Sequence, residues 1–463
     1  MAAFGLAIVV AREFGAVGSG VFFEAVALFT IASTVAKLGA DTGLTRSISR
    51  RLVQGRAPEL RALGLIATWP PLVVATAAGI GLWVGAPELT HLAFRGEHLA
   101  STTEYLRLLA PFLPLATASL VLLPGTRGFQ AIWPLVGIQN MAMPILRIVL
   151  LPILLLAGLG TLSVALAWAL PLALGAAVGV MSFAHLSSSA RRAAPETAPS
   201  PVTREAFWSF WRFAAPSGLV ASCNIIILWL DVLLVGALVS TAQSGIYAVA
   251  SRCISIATYS VGALGFAIAP QFSRLYASGR LREAGRVFRT ATAWLMAVAW
   301  PVCLVMGVFA PVVLRLFGRE FVSGAVALSI LAPGMLVATG TGNCSIVLLM
   351  TGRSSAALAI AAGSMAVNIG LDLALIPRLG IVGAAIGWAV TMVISNGSTT
   401  LLLLRLHRLH PISYAFVFVA LDSILCYGVL GLMLRLWVGP TVPALTASVV
   451  VGSLLYVAAL WSR

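Results

Sequence analysis

Long apolar runs, each near the length of one bilayer crossing, alternate with short polar joints along almost the whole chain. A transmembrane helix needs about 20 predominantly apolar residues. Runs of that kind fall at 17–40, 62–86, 106–124, 132–156, 162–184, 207–238, 243–270, 290–313, 323–350, 355–376, 381–404, 413–438 and 442–461. The pattern predicts thirteen spans. Residues 1–13 read as the second half of another, because only that much chain precedes Phe14-Gly15. Pro70, Pro71, Pro114, Pro144, Pro216, Pro301 and Pro333 lie within runs. They predict kinks rather than breaks, since freed backbone groups find other partners in a helical membrane protein.

The runs repeat. Gly20-Val-Phe-Phe-Glu opens a span that ends in an Arg-rich joint holding Gly55-Arg56 and Glu59. Gly245-Ile-Tyr-Ala-Val opens another, ending at Gly279-Arg280 and Glu283, at an offset of 224–225. Further on, Leu159-Gly160 and Trp168-Ala169 match Leu379-Gly380 and Trp388-Ala389 at an offset of 220. Each repeat has six spans, an even number, so both halves share one orientation about an axis along the membrane normal. Secondary transporters have this architecture, with the substrate site at the midplane between halves. The expected domains are an N-terminal lobe at 1–184, a Ser/Pro/Ala-rich cytoplasmic linker at 185–206, a C-terminal lobe at 207–404 and an extra helix pair at 405–463.

Composition sharpens this picture. Sixty per cent of the 463 residues are hydrophobic and 9% are charged, against about 25% charged in soluble domains. A soluble enzyme is excluded. Lys37 is the sole lysine and Leu38 follows it, so no Walker A loop exists, and lysine-based covalent chemistry has little footing. The net charge of +15 comes from arginines in short joints, which points to membrane topology rather than nucleic acid. Nineteen basic residues fall on one side, including Arg46, Arg50, Arg51, Arg56 and Arg61, against seven on the other. The excess places both termini in the cytoplasm. Cys223, Cys253, Cys303, Cys344 and Cys426 lie in apolar runs without CxxC spacing and read as packing residues.

Eight short stretches in order carry a family resemblance. They are Ala11-Arg12-Glu13-Phe14-Gly15, Leu38-Gly39-Ala40-Asp41-Thr42-Gly43-Leu44, Asp231-Val-Leu-Leu-Val-Gly236 and Gly245-Ile246-Tyr247. Ala269-Pro270-Gln271-Phe272-Ser273-Arg274-Leu275-Tyr276, Leu316-Phe317-Gly318-Arg319-Glu320-Phe321, Leu349-Met350-Thr351-Gly352-Arg353 and Ile376-Pro377-Arg378-Leu379-Gly380-Ile381-Val382-Gly383-Ala384-Ala385 complete the set. With these the chain resembles the polysaccharide-transport, Wzx-like flippase branch of the multidrug/oligosaccharidyl-lipid/polysaccharide exporter superfamily. The resemblance implies an all-α polytopic membrane protein: two six-helix lobes about a pseudo-two-fold along the membrane normal, plus a C-terminal helix pair. It also implies transfer of a polyprenyl-diphosphate-linked oligosaccharide between leaflets of the cytoplasmic membrane. Its partners would be that lipid-linked substrate, membrane lipids, a polysaccharide polymerase and glycosyltransferases, with no cofactor and no nucleic acid. The family's first helix is full length, whereas this chain starts halfway along it.

Such a substrate needs a polar cavity that neutralises phosphate and opens sideways for the lipid tail. Charges within spans are the candidates, since each costs about 2.5–3.5 kcal/mol at the bilayer centre on insertion scales. Arg252 lies about nine residues into the span 243–270 and approximately matches a diphosphate-binding arginine of related lipid II flippases; alternatively it pairs with a carboxylate such as Glu24. Lys37 and Asp41, four apart on one helix face, either form a local ion pair or let Lys37 receive the headgroup. Arg147 and Asp372 hold corresponding places in the two halves and either pair as an outer gate or face interfacial water. Asp231 and Glu24 are the expected buried carboxylates, candidates for proton or sodium coupling, although Asp231 would also serve as a packing partner. Asp422 is expected to stabilise the C-terminal pair, and His407 with His410 is not read as a metal site.

Two other readings stay open. A cation-coupled drug exporter of the same superfamily fits the spans, although Lys37, Arg147 and Arg252 suit an anionic substrate better. A membrane-embedded glycosyltransferase or polymerase would usually show a large outer loop, and the longest one here, 87–105, is short.

Overall fold

The computed structural model describes residues 2–93, 99–160, 162–193, 204–342, 344–351 and 353–461. Residues 194–203 of the expected linker and Arg95 of the 87–105 joint lie outside the described residues. Helices fill the rest: α1 (Ala2–Ala36), α2 (Ala40–Val53), α3 (Leu60–Ala93), α4 (Leu99–Leu109), α5 (Leu113–Gly125), α6 (Met143–Leu156), α7 (Leu162–Arg192), α8 (Arg204–Leu238) and α9 (Thr241–Ala277). They continue with α10 (Leu281–Val308), α11 (Ala310–Arg315), α12 (Ala325–Gly340), α13 (Cys344–Met350), α14 (Ser354–Leu379), α15 (Ile381–His407), α16 (Tyr414–Ser423), α17 (Leu430–Val438) and α18 (Val442–Trp461). Among the described residues there is no strand. Among the described residues, twelve helical segments are long and apolar enough to cross a membrane; the expected 243–270 run is helical as α9. The protein is a multi-pass, all-α membrane protein.

The joints are more helical than expected. Residues 41–61, read as a loop, form α2 over most of their length. The buried residues Ala40, Leu44 and Ile48, spaced by four, give that polar stretch one apolar face. The expected linker likewise begins as helix, with α7 running to Arg192. The half-span 1–13 and the span 17–40 join as α1, broken at Gly15 (φ 62°, ψ −168°). That left-handed φ suits glycine alone without strain. The break exposes the Ala16 N–H, which donates to Glu320 Oε1 at 2.8 Å, a carboxylate where a new helix start favours negative charge. Pro114 and Pro144 are the second residues of α5 and α6, directly after a 3-10 turn at Ala110–Phe112 and a π-helical stretch at Pro134–Ala142, so the helix changes its winding at both prolines and does not end there. The helices α3, α8, α10 and α12 continue through Pro70, Pro71, Pro216, Pro301 and Pro333.

The chain divides into two compact units, one of residues 2–6 and 21–237 and one of 7–20 and 238–463. In the first, Leu44, Ile48, Leu60, Leu63, Val121 and Phe183 of α2, α3, α5 and α7 build a core that Phe210, Trp211 and Ala214 of α8 complete. In the second, α10 packs on α9, α12 and α16, while α15 packs on α12 and α14. Arg12 Nε donates to the Leu316 carbonyl at 2.9 Å there. The pair made by α16–α17 and α18 is tied to α10 through Tyr456, whose hydroxyl donates to the Ala297 carbonyl at 3.2 Å and accepts from Ser423. Asp422 accepts from the Cys426 thiol within the same pair.

The repeat is visible in local geometry. Gly55 and Gly279 both have φ 72°. An ion pair between residues three apart follows each: Arg56 Nη2 to Glu59 at 2.6 Å and Arg280 Nη2 to Glu283 at 2.7 Å.

Candidate functional site

Lys37 and Asp41 do meet: Lys37 Nζ lies 2.9 Å from Asp41 Oδ2, both side chains largely buried. They are not on one continuous helix, which corrects the expectation. The chain turns between α1 and α2 through Leu38 (φ 52°) and Gly39 (φ 76°). Gly39 lies against the Ala214 carbonyl and Gly218 of α8, with no room for a side chain. A close crossing thus fixes the turn, and the turn brings the ion pair together. Arg127, after α5, adds a second positive charge near Asp41.

Glu24 in α1 and Asp231 in α8 are both fully buried, in the same unit. Glu24 Oε1 packs onto Gly236, whose missing side chain leaves space for a carboxylate between two helices. Arg252 is half-buried in α9, eleven residues beyond its start, or about 17 Å along the axis. It belongs to the other unit from Glu24.

Arg147 of α6 is half-buried, and its Nε donates to the Trp168 carbonyl of α7 at 3.2 Å. Its guanidinium carbon stands 4.5 Å from the Trp168 ring centroid, within cation–π range. Phe29 meets the same indole edge-on at 5.1 Å. These contacts hold Arg147 inside its own unit, and Asp372 belongs to the other.

Asp372 is fully enclosed on α14, with Oδ1 packed onto Gly387 of α15. Ser364 and Asn368 share its buried stripe at spacings of eight and four, so one face of α14 carries three polar groups toward α15. Asn368 is 0% exposed, and neither of its amide atoms has a hydrogen-bond partner among the described residues. Thr391, fully buried on α15 one turn after Gly387, donates back to the Gly387 carbonyl at 2.8 Å. Asn368 and Ser364 escaped the sequence reading because they carry no charge. Their helical spacing from Asp372 inside an apolar run was the available signal. Among the described residues, no three His, Cys, Asp or Glu side chains gather as a metal site.

Comparison with known proteins places this arrangement in a class. The MatE family model matches residues 216–374, less than half of the chain. Among solved structures, an inward-facing multidrug resistance MATE family transporter of the MOP superfamily superposes with a TM-score of 0.69 at 18% identity, over 88% of this chain and 94% of that one. The lipid II flippase MurJ, in its inward closed conformation, gives 0.68 at 13% identity over 99% and 95%. The eukaryotic MATE transporter AtDTX14 gives 0.59 at 18% identity over 90% and 97%. A search of curated proteins finds no sequence match. The fold is that of the MATE and MurJ transporters.

Proposed function

We propose that this protein is a flippase that moves a polyprenyl-diphosphate-linked oligosaccharide across the cytoplasmic membrane by alternating access, with both termini cytoplasmic. The observation that carries the reading is Arg252, a permanent cation half-buried well inside α9. An arginine stays charged at any working pH and presents a planar fork of donors that matches phosphate. Lys37, in the turn after α1, and Arg147, in α6, support it as further cations, each also bound to a neighbour, Asp41 and Trp168. In this reading Arg252 takes the diphosphate, Lys37 with Asp41 assists entry of the headgroup, and Arg147 adds positive potential from α6. The buried carboxylates Asp231, Glu24 and Asp372 are assigned to coupling and gating, with Asn368 beside Asp372. The protein performs transport, not catalysis.

A cation-coupled drug exporter is the second reading, favoured by the MatE match over 216–374 and by the likeness to a multidrug transporter. One strain decides between them: a flippase-null host carrying this chain, Arg252→Lys or Arg252→Ala, with membrane abundance measured in parallel. Restored polysaccharide export by the unsubstituted chain, partial export with Lys and near loss with Ala, all at equal abundance, supports the flippase. Full export by Arg252→Ala places phosphate capture elsewhere. No export, together with raised tolerance to cationic drugs, selects the exporter.

A further inference from the structure

A cavity of about 640 Å³ opens on the unit of residues 21–237, between α3, α5 and α7. Its two ends differ in chemistry. Arg61, His185 and Arg191 stand exposed around one end, with Ser187 and Ser188 beside them. The shaft beyond is apolar, walled by Leu65, Leu72, Ala118, Leu122, Val180 and Phe183. Leu65 and Val180 are more than half exposed, so the shaft is open along its side, toward the lipid.

Length and charge both fit one occupant. From Arg61 to Leu72 on α3, and from Arg191 back to Val180 on α7, eleven residues separate the basic end from the deepest wall. Eleven residues of helix span about 17 Å, close to half of the roughly 30 Å hydrocarbon thickness of a bilayer. The shaft is therefore one leaflet deep. At its mouth, Glu59 is already engaged by Arg51 at 3.1 Å and Arg56 at 2.6 Å. Arg61 and Arg191 form no ion pair among the described residues. Ser187 is 8% exposed, and its hydroxyl has no hydrogen-bond partner among the described residues. A buried hydroxyl without a partner costs free energy that a ligand oxygen would recover.

We propose that this cleft holds an anionic glycerophospholipid from the leaflet on the arginine-rich side, its phosphate between Arg61 and Arg191 with Ser187 donating to a headgroup oxygen, and one acyl chain filling the shaft to Leu72. Basic pockets between helices on the cytoplasmic side recognise anionic headgroups. An acyl chain supplies the apolar area that a free anion lacks. The site is separate from Arg252 and from the buried carboxylates, so it would act whatever the cargo.

The test uses the full chain purified in mild detergent, titrated with phosphatidylglycerol, phosphatidylethanolamine or inorganic phosphate. Native mass spectrometry counts bound lipid, and thermal unfolding reports stabilisation. Phosphatidylglycerol should be retained and should raise the unfolding midpoint, while phosphatidylethanolamine binds more weakly and inorganic phosphate does nothing. The double variant Arg61→Ala/Arg191→Ala should lower phosphatidylglycerol affinity on the order of 30-fold, from about one kcal/mol per basic residue at a membrane surface. Ala118→Phe, which blocks the shaft and keeps both arginines, should lower it as well while leaving the lipid-free midpoint unchanged. Equal retention by the unsubstituted chain and both variants would overturn the proposal. So would stabilisation by inorganic phosphate as large as that by the lipid, which would leave an anion site with no role for the shaft.

Discussion

The helix pairs α6–α7 and α14–α15 occupy corresponding places in the two halves of the sequence repeat, and at one corresponding position they carry opposite charges, Arg147 and Asp372. Arg147 and Asp372 are related by the offset of 225, and Trp168 and Trp388 by 220. Most of the slip of five falls between the helices: α6 ends at Leu156 and α7 starts at Leu162, whereas Gly380 alone separates α14 from α15. Gly160 and Gly380 nevertheless share a left-handed backbone, with φ of 53° and 58°. On this common frame the arginine stays half-buried, lying over an indole and bonded to a carbonyl. The carboxylate is enclosed, held where Gly387 lets two helices close around it and flanked along its stripe by Asn368 and Ser364. A guanidinium on a long stem can share its charge with a ring and still reach outward. A short carboxylate has no such reach, so its environment must be polar from within. The frame is repeated and the chemistry is not, and the proposed flippase uses that difference by giving one half the anion and the other the coupling carboxylate.

The largest effect should come from closing the space that Asp372 occupies. A side chain at 387 would overlap Asp372 Oδ1, so Gly387→Val should push α14 from α15. Overpacking of this kind costs about 1–3 kcal/mol, and membrane abundance and the unfolding midpoint should both fall. Gly387→Ala combined with Asp372→Gly should recover much of that loss. If the double variant is no more stable than Gly387→Ala alone, the carboxylate is not what the glycine accommodates.

Next in size is Asp372→Asn, which keeps shape and removes ionisation. Abundance should stay normal while export falls at least about tenfold, the effect of losing one coupling free energy of about 1.4 kcal/mol. Unchanged export would return Asp372 to a packing role and remove the functional side of the contrast with Arg147.

Much of this was readable before any coordinates. The spans were legible because roughly 20 apolar residues have few other uses, and the break within α1 was legible from Phe14-Gly15. The Lys37–Asp41 pair was legible from its spacing, although the turn at Leu38-Gly39 that delivers it was not. That turn depends on α8 crossing at Ala214 and Gly218, a contact nearly 180 residues away in sequence. Helix α2 was hidden by its arginines, because charge density was read as a loop while Ala40, Leu44 and Ile48 kept helical spacing. Asn368 was hidden for the opposite reason: an uncharged polar residue in an apolar run draws no notice until its burial is known. The repeat offers Arg147 either as a gate partner for Asp372 or as a residue facing interfacial water, and its contacts with Trp168 are local ones that symmetry does not predict.

The smallest effect should be at Arg147 itself. Its bond to the Trp168 carbonyl and its place over the ring together contribute about 0.5–1 kcal/mol for a cation that is only half-buried. Lysine keeps a charge near the ring but loses the directed Nε bond, so Arg147→Lys should lower the unfolding midpoint slightly and leave export nearly intact. Arg147→Ala should lower the midpoint further, with export following abundance rather than dropping beyond it. The measurement is export per molecule in the membrane, compared with Asp372→Asn in the same strain. A collapse of export at normal abundance for Arg147→Ala would make the two positions functional equals. The difference in burial between them would then reflect side-chain length rather than a division of labour between the halves.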